Sequence, residues 1–188
     1  DIMVELAHRK LGFADNMIVG QAGVLDTGRL RYQASAHTGV PCSQISALVL
    51  GGHGPTMVPC FSQCQVAHKP LTEWVDAGKI KAIHEEVADR GRTVIKQQGR
   101  SAIYSTAIAA TRMAKAFLLD TKEIMACCTR LNGEYGASGL FAGVPTQISR
   151  QGVKPIEVPL APEDKEKLDF SITKVREEVA LLDKVLTE

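Results

Sequence analysis

Three side chains in the first third of the chain could form one acid–base site: Asp26, Arg29 and His53. An imidazole can accept the proton of a hydroxyl group near neutral pH. A carboxylate bonded to the other ring nitrogen holds the tautomer and stabilises the imidazolium that forms. A guanidinium binds a carboxylate through parallel N–H groups, which an ammonium cannot do. Together these groups could bind a 2-hydroxy acid and move the proton of its hydroxyl group.

The elements predicted around these residues could bring them together. Apolar residues recur at helical spacing over residues 25–34, and this helix places Asp26 and Arg29 on neighbouring positions of one face. The branched apolar run of residues 45–50 ends in a glycine pair, which predicts a buried strand with His53 beyond its carboxyl end. Loops after strands are common places for functional sites.

Each of the three residues also has an ordinary structural interpretation. A histidine between glycines is often a plain loop residue, Asp26 could be a surface or cap residue, and Arg29 could be a solvated helix charge. The residue types alone therefore leave both interpretations open.

The rest of the chain reads as alternating helices and strands. We expect helices over residues 4–11, 79–98 and 105–119 and from Pro162 onward, and strands over residues 16–20, 57–67, 123–131 and 139–149. The short Asn132–Gly136 turn predicts that the last two strands are antiparallel. The last helix carries an apolar stripe that we expect to pack on the domain's own sheet rather than in a coiled coil: Leu168, Ile172, Val175, Val179, Leu182 and Leu186. The predicted fold class is α+β, a mostly antiparallel sheet packed by several helices.

Composition excludes several classes of protein. A chain of 188 residues fits one domain, and 22 basic against 21 acidic side chains without a basic block argue against nucleic-acid binding. No apolar run approaches the roughly 18 to 20 residues of a membrane-spanning helix. Five cysteines without framework spacing favour reduced thiols and a cytoplasmic setting. The chain begins with Asp1 rather than with a secretory signal, so we expect a piece of a longer product.

Five sequence elements occur in an order that resembles a known family. They are Gly20-Gln-Ala-Gly-Val-Leu25, the overlapping Leu25-Asp-Thr-Gly-Arg29, Gly52-His-Gly54, Gly143-Val-Pro145 and Gly152-Val153. From Asp1 into the last helix, the chain resembles the substrate half of the lactate and malate dehydrogenase family. It is most similar to the lactate-dehydrogenase-like malate dehydrogenases.

The resemblance implies a function and a set of site residues. It implies interconversion of malate and oxaloacetate with NAD, with His53 and Asp26 as catalytic residues and Arg29 as the residue that binds the substrate carboxylate. Ser101 and Ala102 match the segment that lines the substrate pocket, although Ser101 could instead be a helix-start hydroxyl. The family also implies a homodimer or homotetramer and a dicarboxylate substrate.

The nucleotide-binding half of that family is absent from this sequence. No Gly-x-Gly-x-x-Gly follows a predicted strand, so residues 1–188 are expected to be one substrate-binding domain without its N-terminal dinucleotide-binding domain. The cofactor-binding residues are therefore unknown, and the choice between the two nicotinamide dinucleotides stays open. We predict that this chain alone does not turn over.

Several positions depart from the family pattern. Pro55 follows Gly-His-Gly where the family has Asp, Arg100 replaces a small residue, and Ser62 stands where Arg is frequent. Thr27 and Gly28 separate Asp26 from Arg29 in place of a small residue and alanine. These departures keep a second hypothesis open, a non-catalytic carboxylate-binding or oligomerisation module derived from the family.

A zinc site is a further alternative from another class. Cys60, Cys64 and His68 are spaced by four residues and would share one face of a strand. Structural zinc sites usually contain a closer cysteine pair, and a buried cysteine is more often a small core residue. We therefore expect no metal.

Overall fold

The computed structural model describes residues 1–187. Within them we label five helices: α1 Ile2–Leu11, α2 Ala22–Thr38, α3 Ala77–Gln98, α4 Tyr104–Leu119 and α5 Pro162–Thr187. The strands are β1 Ile45–Ser46, β2 Val49–Leu50, β3 Val58–Pro59, β4 Gln65–Val66, β5 Lys69–Pro70, β6 Ile124–Asn132, β7 Ser138–Ser149 and β8 Gly152–Pro155. Every strand pair in this part of the chain is antiparallel. The predicted α+β class is confirmed, with the strands divided among three small sheets.

The sheet β6-β7-β8 is the centre of the fold. Its β6–β7 hairpin confirms the predicted antiparallel pair, and Cys128 pairs with Gly143 in its register. The turn signal is also correct, since a single 3-10 turn occupies Glu134–Gly136. The sequence prediction missed β8. This strand follows β7 after only two residues and contains a lysine and a proline, so neither its length nor its composition is typical of a strand.

The two faces of this sheet bury different side chains because neighbouring residues of a strand point in opposite directions. Ala126 faces a core that contains Leu168, Ile172 and Val175 of α5. Met125 and Cys127 face a core shared with α2 and α4. A third core joins α2 to α3 and the small sheets: Leu30, Ala34, Ile45, Val49, Met57, Cys64, Val66, Leu71, Val75, Ile83 and Val87. Helix α2 contributes to two of these cores and is therefore held on two sides.

The predicted helices are all present. Gly12 ends α1 and Gly99 ends α3, and both adopt the left-handed conformation that glycine tolerates best. The stripe of α5 packs on the sheet over its first half, but Leu186 at its far end is 44% exposed, so the stripe is not buried along its whole length. Among the described helices, none combines the length and the hydropathy needed to cross a bilayer.

Three strand predictions need correction. Residues 16–20 are not a strand, because Asp15–Met17 forms a 3-10 turn and only Gly20 bridges to Cys128. The predicted strand over residues 45–50 is two short strands, because β1 pairs with β4 whereas β2 pairs with β3. The predicted strand over residues 57–67 is interrupted by a 3-10 turn at Phe61–Gln63. Pairing with different neighbours divides apolar runs that look continuous in sequence.

Candidate active site

Helix α2 carries two charged residues of the candidate site on one face. Asp26 is 2% exposed, and its Oδ1 accepts a hydrogen bond from Arg29 Nη1 at 3.0 Å. The helix lies very close to the central sheet, since a Cβ at Gly23 would be 2.8 Å from the carbonyl oxygen of Ala126. Because only glycine permits this approach, the backbone of β6 determines how deeply Asp26 is buried.

His53 lies in the turn after β2 and points to the same carboxylate. Its Nδ1 is 2.6 Å from Asp26 Oδ2, and 39% of its side chain is exposed. A carboxylate that already pairs with a guanidinium can only accept hydrogen bonds, so Nδ1 carries a proton in this arrangement. The neutral ring then has its lone pair on Nε2, the atom that must receive a substrate proton. Asp26 therefore orients His53 and Arg29 at once.

The turn that carries His53 is bound to three separate elements by successive backbone N–H groups. Gly51 donates to the carbonyl of Gly143 in β7 at 2.7 Å. Gly52 donates to Ser171 Oγ of α5 at 2.8 Å, and His53 donates to Asp1 Oδ2 at 2.7 Å. The sequence prediction missed these supports. The available signal was Ser171 itself, a polar residue within the apolar stripe of α5.

A cavity of about 410 Å³ lies between α2, α3 and α4. Arg29 is the residue common to this cavity and to the Asp26 pair, and neither Asp26 nor His53 lines it. The lining contains four arginines and no acidic residue: Val24, Leu25, Gly28, Arg29, Arg31, Tyr32, Gln33, Arg90, Val94, Ala102, Ser105, Ile108, Ala109 and Arg112. Its charge favours anions.

The two further residues predicted for the substrate pocket differ in position. Ala102 lines the cavity with Arg29, whereas Ser101 is exposed in the loop between α3 and α4 and is not part of the lining. The structure thus brings Arg29 and His53 into hydrogen-bonding contact with Asp26, brings Ala102 to the cavity beside Arg29, and leaves Ser101 outside that cavity. The chemical roles of all five stay predictions.

The alternative zinc ligands do not converge. Cys60 belongs to the core beneath α5, and Cys64 belongs to the core beneath α3. Burial raises the pKa of Cys60 to about 12 and that of Cys64 to about 11, so both thiols are neutral, whereas zinc binds thiolates. Among the side chains that the structure describes, no three His, Cys, Asp or Glu residues are arranged to hold a metal ion.

The described residues do not form a dinucleotide site either. Such sites use parallel strands and a glycine-rich turn before a helix, and this part of the chain contains only antiparallel pairs. The described residues therefore offer an acid–base group and a guanidinium but no nucleotide-binding turn.

Comparison with known proteins agrees with this geometry. Residues 23–185 match the family described as the lactate/malate dehydrogenase, alpha/beta C-terminal domain. A malate dehydrogenase of Pelagibacter ubique is 39% identical over 176 residues, which are 90% of this chain and 55% of that protein.

Two solved structures are similar in fold and sequence. The malate dehydrogenase of Salinibacter ruber has a TM-score of 0.96 and 36% identity, over 100% of this chain and 62% of that one. The Cryptosporidium parvum lactate dehydrogenase, complexed with lactic acid and nicotinamide adenine dinucleotide, has a TM-score of 0.92 and 34% identity, over 97% of this chain and 60% of that one. The chain thus spans about three fifths of the proteins it matches, and it belongs to the lactate/malate dehydrogenase family through the alpha/beta C-terminal domain.

Proposed function

We propose that this chain is the substrate-binding and proton-transfer half of an NAD-dependent malate dehydrogenase. The observation that carries the proposal is the single buried carboxylate of Asp26, which bonds both His53 Nδ1 and Arg29 Nη1. A substrate carboxylate held by Arg29 would therefore keep a fixed relation to the base. Residues 1–188 act as one domain in this proposal, and a dinucleotide-binding half must be joined to it.

Each residue has one task in the reaction. Arg29 binds the substrate carboxylate with N–H groups that Asp26 does not use. Its Nη2 lies near Gly91, and a Cβ built on that glycine would be 3.9 Å from Nη2. His53 accepts the hydroxyl proton on Nε2, and Asp26 stabilises the imidazolium. A nicotinamide dinucleotide held by the joined dinucleotide-binding half would supply the hydride acceptor. In the reverse direction His53 returns the proton to the carbonyl oxygen of oxaloacetate.

We propose malate rather than lactate as the substrate, since the relative from Pelagibacter ubique described above is a malate dehydrogenase. A lactate dehydrogenase is nevertheless 34% identical over nearly the whole chain, so the distal group of the substrate must be tested directly. Arg29 and Arg112 of the cavity already pair with Asp26 and Glu123, so the excess positive charge comes from Arg31 and Arg90, and it adds to the attraction of a dianion over a monoanion.

The test is formation of reduced nicotinamide by this chain joined to a dinucleotide-binding half, with malate and lactate in parallel. We expect turnover with malate, its loss in His53→Ala, and none from residues 1–188 alone. His37→Ala is the matched control, because His37 Nε2 pairs with Glu86 Oε2 at 3.0 Å in a similar imidazole–carboxylate pair elsewhere. Equal losses of turnover in His53→Ala and His37→Ala, or no turnover by the complete protein, would favour the hypothesis of a non-catalytic module.

We also propose that the protein is a homodimer or homotetramer that contacts its copies through α4. Tyr104, Ile108 and Leu118 of this helix are 76%, 69% and 65% exposed, which is unusual for large apolar side chains. Ile108→Asp should lower the mass measured by sedimentation, and Leu11→Asp, an exposed position on α1, is the control. An unchanged mass for Ile108→Asp would contradict the proposed contact.

A cytoplasmic location is the remaining part of the proposal. It is supported by the five cysteines, all of which are free thiols and four of which are buried. Cell fractionation of the source organism is the test, and recovery of the protein outside the cytoplasm would refute it.

A further inference from the structure

Ser171 is a fully buried polar residue in the middle of an apolar helix face. It is 0% exposed, and Leu168, Ile172 and Val175 around it on α5 are core residues. A hydroxyl in such a place costs free energy unless it is hydrogen-bonded. The hydrogen-bond partners of the Ser171 hydroxyl therefore indicate what this residue does.

The Ser171 hydroxyl spans the turn that carries His53. Its Oγ accepts from the N–H of Gly52 at 2.8 Å and donates to Thr56 Oγ1 at 3.3 Å, so it holds one residue on each side of the segment 53–55. The fit is close, because a Cβ at Gly51 would lie 2.5 Å from Ser171 Oγ. Gly51 itself has φ of 80°, a conformation that favours glycine.

The two halves of the candidate site rest on different supports. Asp26 and Arg29 are fixed by α2, whereas the backbone of His53 is fixed by its turn. If the turn moved, the 2.6 Å contact between His53 Nδ1 and Asp26 Oδ2 would lengthen while the Asp26–Arg29 pair stayed in place. The rate of proton transfer would then fall, whereas the affinity for the substrate carboxylate would not change.

We propose that Ser171 is a positioning residue for His53, which acts by fixing the backbone of the catalytic turn from α5. The inference rests on the proposed function, because it assigns His53 the role of the base. Ser171→Ala leaves the Gly52 N–H buried without a partner and opens space beneath the turn, so the turn relaxes.

The experiment compares Ser171→Ala with Ile172→Val in the complete protein, with a dinucleotide-binding half present. Ile172 is the next residue of α5 and is 4% exposed, so its truncation loosens the same core while the Ser171 hydroxyl and its hydrogen bonds are retained. We expect kcat for malate to fall by about 10- to 100-fold in Ser171→Ala, because a displacement on the order of 1 Å can cost about 10²-fold. The KM for malate should stay within about twofold, and Ile172→Val should leave both near the unsubstituted values.

A second readout separates this proposal from the proposed function. Proton NMR of the same proteins follows the imidazole N–H of His53 that bonds Asp26, and it needs no turnover. We expect this resonance to broaden or move upfield in Ser171→Ala and to be retained in Ile172→Val. If the unsubstituted protein is inactive, the proposed function fails and the resonance still decides the role of Ser171.

Three outcomes overturn the proposal: an unchanged His53 resonance in Ser171→Ala, a kcat within twofold of the unsubstituted protein, or equal effects of Ser171→Ala and Ile172→Val. Should Ser171→Ala not fold, Ser171→Cys keeps a side chain of similar shape with a much weaker acceptor. The same fall in kcat at constant KM is then expected, and normal kcat in that variant contradicts the proposal.

Discussion

Replacing Asp26 by asparagine is the sharpest perturbation of the candidate site, because it keeps the shape of the side chain. Asp26 presents two acceptor oxygens, one to Arg29 Nη1 at 3.0 Å and one to His53 Nδ1 at 2.6 Å. Asparagine has one acceptor oxygen and one NH₂ donor in their place. Arginine has no acceptor atom, so the amide oxygen must face Arg29 and the NH₂ group must face His53.

This forced orientation inverts the tautomer of His53. Nδ1 must now accept a hydrogen bond, so the proton of the neutral ring moves to Nε2, the atom that should receive the substrate proton. In a serine protease, the equivalent substitution of the carboxylate behind a catalytic histidine lowers kcat by about 10⁴. That factor corresponds to about 5 kcal/mol of barrier. We expect a loss of kcat of this order in Asp26→Asn, with a much smaller change in the KM for malate, since Arg29 keeps its partner.

The assay is reduced-nicotinamide formation from malate by the complete protein, together with nitrogen NMR that reports which ring nitrogen of His53 is protonated. Asp89→Asn is the matched control, because Asp89 forms an exposed ion pair with Arg92 on α3 at 2.5 Å. The reasoning is refuted if Asp26→Asn keeps kcat within about tenfold of the unsubstituted protein, or if Nδ1 remains protonated in the variant.

Three further predictions follow from the same contacts. Arg29→Lys should raise the KM for malate by about tenfold or more, because an ammonium cannot form the bidentate hydrogen bond to a carboxylate. Arg92→Lys, at an exposed site, is the control and should leave the KM unchanged. Gly28→Ala should raise the melting temperature by about 2 to 4 °C, because an added Cβ in this helix meets no atom within 4 Å; an unchanged melting temperature would contradict this. Burial raises the pKa of the thiols of Cys60, Cys64, Cys127 and Cys128 above the ordinary 9.0. The stability that comes from keeping these thiols neutral is therefore complete below pH 9 and is lost as pH rises through about 11 to 12. Urea unfolding at pH 8 and pH 10 should show a loss of about 1 kcal/mol per thiol, and Cys60→Ala should reduce that loss, whereas an identical loss in the variant would oppose the assignment.

The helices and the β6–β7 hairpin could be predicted because their signals are local. Apolar spacing and a terminal glycine define α3, and a glycine-rich turn between two apolar runs defines the hairpin. The short strands could not be predicted in the same way. Whether residues 45–50 form one strand or two depends on which distant segments pair with them, and nothing within the run itself carries that information.

The contacts of the candidate site can likewise be separated into local ones, which could be predicted, and distant ones, which could not. Asp26 and Arg29 are neighbours on a helix by spacing alone, so their contact was predictable. The contact of Asp26 with His53 joins residues 27 positions apart and depends on how α2 packs on the sheet. The supports of the turn are more distant still, since Gly52 and Ser171 are separated by 119 positions. Such contacts follow from packing of the whole domain and leave only indirect traces in the sequence.

Pro55 is one of the departures that keep the non-catalytic hypothesis open, and its backbone surroundings are those of an ordinary turn. The N–H groups that fix the turn belong to residues 51–53, which precede the proline. Met57 then donates to the carbonyl of Gly54 at 3.1 Å, which makes Pro55 the second residue of a four-residue turn. Proline is favoured at that position, where the turn's hydrogen bond does not use the backbone N–H. Pro55 therefore removes no backbone hydrogen bond that fixes the turn, and it restricts the unfolded chain, so the proline is compatible with a turn that holds His53 in place.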